Sequence, residues 1–124
     1  MYAALGLFVF ELATVPFSEE EHRRSWRHEP VSLVGERDSA QFVGPRDDVK
    51  TLSGILAPEL AGSYAEIDTL TDMADAGEPY TFVDGTGRVW GEYVIVALDL
   101  RKQHLLIDGV PRMVDFAIDL KRIR

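Results

Sequence analysis

The chain has 124 residues, 46% hydrophobic and 27% charged, which suits one domain (1–124) built around one core. It has no cysteine, which excludes disulfides and thiolate chemistry. A formal net charge of −8 opposes nonspecific binding to nucleic acid.

The first element is the apolar run from Tyr2 to Phe10. It has no basic region before it, meets Glu11, and is too short to span a bilayer. It reads as a strand of the mature protein, with Phe8, Phe10 and Leu12 on one face. Between Val15 and Ala40, a strand over Arg23 to Leu33 would be anchored by Trp26, and Gly35-Glu36-Arg37-Asp38-Ser39 reads as an exposed turn or loop. Gln41-Phe42-Val43 and Thr51 to Ala57 read as two strands around a tight turn at Gly44-Pro45-Arg46-Asp47, with Pro58 ending the second.

A helix is expected near 63–76. Ser63 and Glu66 have the spacing of a capping box, and Tyr64, Ile67, Leu70 (or Thr71) and Ala74 form an apolar stripe. Gly77 and Pro79 stop it, and Asp68, Asp72 and Asp75 make its outer face acidic. Asp84-Gly85-Thr86-Gly87 is expected to turn a hairpin between Tyr80–Val83 and Arg88–Leu100, and Asp108-Gly109 another between His104–Ile107 and Arg112–Ile123. Both faces of Trp90–Leu100 are apolar through Val96, as for a central strand covered on both sides. Val114, Phe116, Ile118 and Leu120 alternate with Asp115, Ala117, Asp119 and Lys121, the clearest strand in the chain. The fold class is α+β and β-rich: about seven strands in two packed, mostly antiparallel sheets or an open barrel, with one flanking helix.

Residues with chemical potential do not converge in the sequence. His22 and His28 flank Trp26 and would share a face of a strand, which suits either a metal pair or a polar, basic interface strand. Asp47-Asp48 are neighbours on opposite faces of any strand, not a general acid–base pair. No Gly-x-Ser-x-Gly is present, and Asp84-Gly85-Thr86-Gly87-Arg88 lacks the lysine of a phosphate loop. No catalytic, metal-binding or cofactor-binding residue is assigned, and no cofactor is expected. Arg23, Arg24, Trp26 and Arg27 could stack and grip single-stranded nucleic acid, form a protein–protein hot spot, or, for Trp26, pack in the core; the acidic net charge disfavours the first. From Thr51 to Gly87 there are seven acids and no Lys or Arg. An acidic flank at Asp68, Asp72 and Asp75 and a basic flank at Arg23, Arg24 and Arg27 suit self-association; the bland alternative is a solvated surface.

Met1 to Leu12 resembles the opening of the phage tail protein U (GpU) family of temperate contractile-tailed phages. So, in order, do Pro16-Phe17, Ser25-Trp26-Arg27-His28, Gln41-Phe42-Val43-Gly44-Pro45 with Asp47-Asp48, and Leu52-Ser53-Gly54 with Leu56 and Pro58-Glu59. Met73-Ala74-Asp75 with Gly77, and Phe116 to Leu120-Lys121-Arg122, complete the set. The helix surface and the loop after His28 depart from the pattern. The resemblance implies a non-enzymatic structural protein needed for tail assembly, with a tail-tube-like fold of two packed sheets and a helix. It further implies a hexameric ring at one end of the tail tube, as the head-proximal terminator or as a layer joining tube to baseplate. Implied partners are the chain itself, the tube and other tail or baseplate proteins, with no sequence-specific nucleic acid and no membrane. The implied location is the virion tail, assembled in the bacterial host cytoplasm, with the origin open between a phage, a prophage and a tail-derived bacteriocin. The competing class is a monomeric β-barrel module binding a small ligand, marked by a large apolar pocket with a few converging polar groups.

Overall fold

Period-2 apolar patterning at both ends of the chain builds one sheet. A computed structural model describes residues 2–11, 14–31, 39–57, 64–105 and 111–124. Its elements are β1 (Ala3–Leu5), β2 (Phe8–Phe10), β3 (Phe17–Val31), β4 (Ser39–Leu56), α1 (Tyr64–Ala76), β5 (Tyr80–Asp84), β6 (Val89–Leu105) and β7 (Pro111–Arg122). The strands lie in the order β2-β1-β5-β6-β7-β4-β3, every neighbouring pair antiparallel. The β-rich α+β expectation with one helix holds among the described residues. The expected pair of packed sheets does not appear among the described residues: all seven strands belong to one sheet.

That sheet curls until its far strands face each other. His22 on β3 meets Trp90 on β6 with ring centroids 5.3 Å apart, although β4 and β7 lie between them in the ladder. At the two edges, Phe17 of β3 packs edge-on against Phe10 of β2 at 5.6 Å and against Tyr2 at 5.7 Å. No ladder joins β2 to β3, so the sheet stays open. Long-range curling gives one sheet two facing halves, which the local alternation cannot distinguish from two sheets.

The concave side holds the core. Leu5, Phe10, Leu52, Leu56, Phe82, Tyr93, Ile118 and Leu120 are completely buried there, and α1 contributes Ile67 and Leu70. The alternation expected along β7 is borne out: Val114, Phe116, Ile118 and Leu120 are all buried. The α1 stripe was expected to run through Tyr64, Ile67, Leu70 and Ala74. Ile67 and Leu70 are buried, Ala74 is half-buried, and the Thr71 hydroxyl donates back to the Ile67 carbonyl at 2.9 Å. Gly77 ends the helix with φ 67°, its N–H donating to Ala74 O. Ser63, Pro58 and the Asp108-Gly109 turn lie outside the described residues.

Three sequence expectations are corrected. The run Tyr2–Phe10 is not one strand but the β1–β2 hairpin, turning at Gly6-Leu7. Gly6 has φ 61°, and a Cβ there would come within 2.9 Å of Tyr80 Cδ1, so the turn needs glycine. Leu7 gives no turn signature, which is why the sequence reads as one strand. Second, Gly44-Pro45 is not a turn; β4 runs through it from Ser39 to Leu56. Pro45 stands opposite Trp26, between two irregularities in the β3–β4 register. Here β4 lies beyond the end of its β7 ladder, where a strand with one neighbour tolerates a residue lacking an N–H. Third, β6 is central but not covered on both faces. A bulge between Ile95 and Ala97 leaves Val96 54% exposed and puts Tyr93, Ile95 and Leu98 on the core side.

Candidate functional site

Three features stand out: a projecting arm, a polar cluster at its base and an apolar groove at the other end of the sheet. The arm exists because β3 and β4 outrun their neighbours. β4 pairs with β7 only from Val49 to Leu56, while the β3–β4 ladder continues to Val31↔Ser39. The register irregularities above Phe17 add residues to β4 and leave β3 regular, so Glu20, His22, Arg24, Trp26 and His28 share one face. The core-facing side of the sheet therefore continues onto the arm, where no strand or helix among the described residues covers it. Trp26 is 54% and Phe42 59% exposed. The Arg24 guanidinium lies 5.9 Å from the Trp26 ring, and Phe42 packs against His28 at 5.4 Å. Arg23 and Arg27 point to the opposite face, Arg27 donating to Glu29.

The sequence left Trp26 open between core and hot spot; the structure places it outside the core. It also parts the two histidines: His22 is held by Asp48 at the arm's base, and His28 sits against Phe42. Among the described residues, no group of three or more His, Asp or Glu could hold a metal ion. Asp47 and Asp48 face opposite ways, as strand alternation requires. Asp47 pairs outward with Lys121 at 3.2 Å, and Asp48 turns inward.

The polar cluster closes the arm's end of the core. Lys50 is 1% exposed, occupying the core-facing position two before Leu52. Its Nζ donates to Glu20 Oε1 at 2.8 Å and sits 4.2 Å from the Trp90 ring and 5.0 Å from that of Phe82. Asp48 accepts from His22 and from the Tyr93 hydroxyl, with Arg122 3.7 Å away. Asp84 shapes the adjacent β5–β6 turn. Its carboxylate accepts from the Thr86 hydroxyl, Trp90 Nε1 and the Arg88 and Thr86 N–H groups, which hold it well below the usual carboxylate range. The cluster is a brace between strands: each polar contact ends on another residue of the fold. The sequence pattern hides it, although Lys50 in register with Leu52 and Leu56 is the trace it leaves.

Burial, followed by the charge of Asp48, pushes the Tyr93 hydroxyl from 10.0 up to about 12. A folded-state value raised above the unfolded one stabilises the protein below the unfolded value, and the contribution disappears as pH rises through the folded one. Stability should therefore fall between pH 10 and about 12. In denaturant titrations across that window, Tyr93→Phe should flatten the fall; an unchanged slope would contradict the assignment.

The groove, about 590 Å³, lies between the β1–β2 turn and α1. Leu7, Phe8, Val9, Met73 and Tyr80 give it an apolar lining, with Thr14, Glu66 and Thr69 as polar points. It lies outside the core, whose interior Phe10, Phe82 and Tyr93 fill. Leu7 is fully exposed at its lip. Asp68, Asp72 and Asp75 are exposed on α1, and no ion pair joins them to Arg23, Arg24 or Arg27 within the chain. The registers Leu5↔Phe82, Tyr80↔Tyr93, Tyr93↔Arg122 and Val49↔Lys121 set the Gly6-Leu7 turn and the groove at one end of the strands and the arm at the other.

The inward polar groups of this β-rich fold brace it, and its exposed apolar and charged residues gather on the arm, the groove lip and the helix. The chain belongs to the Phage P2 GpU family, whose model matches residues 6–124, essentially the whole chain. Membership makes it a structural protein of a phage tail, associated with other tail components. No curated protein matches the chain. No helix among the described residues is long and apolar enough to cross a membrane.

Proposed function

We propose that the chain is a non-enzymatic ring subunit of a phage tail, assembling in the host cytoplasm into a hexameric layer at one end of the tail tube. The layer either terminates the tube at its head-proximal end or joins it to the baseplate. The curled sheet with its flanking helix then serves as a tail-tube-like building block. One observation carries the reading: a basic, aromatic arm leaves one end of the sheet, while an acidic helix flanks the other. A ring of this kind is heterologous, one face of each subunit meeting a different face of the next. The arm carrying Arg24 and Trp26 on one side and Arg23 and Arg27 on the other supplies one contact surface in this reading, and the helix flank of Asp68, Asp72 and Asp75 the other.

Arg24 and Arg27 are exposed; reversing both breaks the Arg27–Glu29 pair and sets a carboxylate opposite Asp48, which should cost folding no more than about 2 kcal/mol. Across a subunit contact the same reversals set like charges together, weakening association by roughly tenfold or more. Sedimentation velocity and thermal melts of the Arg24→Glu, Arg27→Glu double variant check this. A melting point that drops in step with assembly would refute it.

A further inference from the structure

Resting on that ring reading, we infer that the inner face of the arm docks into the groove between the β1–β2 turn and α1 of a second copy of this chain. Four observations meet here. The core-facing side of the sheet runs out along the arm through Arg24, Trp26 and His28, with Phe42 opposite His28, and nothing within the described fold covers it. A two-stranded ribbon has little stability alone, so an arm with an exposed tryptophan and phenylalanine gains most by being covered. The groove offers the matching surface, apolar through Leu7, Phe8, Met73 and Tyr80. Charge selects the pairing: the arm face carries Arg24 beside Trp26, while Glu66 lines the groove and the exposed Asp72 follows one helical turn after Thr69.

Geometry makes the contact intermolecular. Arm and groove lie at opposite ends of the strands, so a chain does not fill its own groove. The contact is head-to-tail: the groove of the subunit whose arm is docked stays open for the next arm, and repetition closes into a ring where the rotation permits. Trp26 enters as the anchor, the residue type that dominates such contacts, and Arg24 reaches Glu66 or Asp72 across the boundary.

The test uses two exposed positions, Trp26→Ala on the arm and Thr69→Arg in the groove, the latter placing a cation where Arg24 arrives. Each variant should melt with the parent and associate at least about tenfold more weakly by sedimentation velocity. Mixed, they should form a one-to-one heterodimer and no larger species, because only one intact arm and one intact groove remain per pair. A parent ring that either variant forms as readily overturns the docking and leaves the ring reading standing. A parent that is monomeric throughout overturns both.

Discussion

Phe10→Ala should lower the unfolding free energy by about 4 kcal/mol in urea titrations. Phe10 is completely buried on β2, an edge strand, and its ring meets Phe8 at 4.9 Å and Phe17 at 5.6 Å. Phe17 belongs to β3, the opposite edge, to which no backbone ladder connects β2. The edge-to-face contact therefore does what hydrogen bonds would do in a closed barrel, and its loss removes both buried area and the link between edges. Leu7→Ala, three residues away and fully exposed, should change stability by less than about 0.5 kcal/mol. Comparable losses at both positions would mean that the hairpin does not pack as described.

The buried ion pair should respond asymmetrically. Glu20→Ala removes the carboxylate that Lys50 contacts at 2.8 Å and leaves an ammonium group buried, at a cost of about 3 kcal/mol. The Trp90 and Phe82 rings beside Nζ offset part of the full penalty. Lys50→Met removes the buried charge while keeping most of the side chain's volume. The remaining Glu20 carboxylate is about a third exposed, 32%, and water can solvate it. That change should cost less than about 1 kcal/mol. Thermal or urea unfolding of the two single variants decides the matter: a larger loss for Lys50→Met would show that Lys50 is held by attraction rather than placed there at a desolvation cost.

Local chemistry in the sequence foretells much of this architecture. Alternation locates β7, the Asp84-Gly85-Thr86-Gly87 segment locates the β5–β6 hairpin, and the stripe through Ile67 and Leu70 locates α1. What escapes is set by distant parts of the chain. Nothing near Leu7 announces a turn, because the demand for glycine at position 6 comes from Tyr80, far along the sequence. Pro45 misleads because it normally signals a turn, and only the length of β7 shows that β4 has a free side there. The single curled sheet depends on Phe17 reaching Phe10 and His22 reaching Trp90, contacts that no window of sequence contains. On the candidate faces, Arg23, Arg24, Trp26 and Arg27 are legible as a cluster. Phe42 joins them only through the β3–β4 register, and the groove only through the packing of α1 beside the hairpin turn.

Sedimentation velocity of the purified parent protein, over a wide concentration range at low and high salt, tests ring formation most directly. A six-subunit species is expected that grows with concentration and weakens as salt screens the contacts between the basic arm and the acidic helix flank. A monomer at every concentration and salt would contradict it.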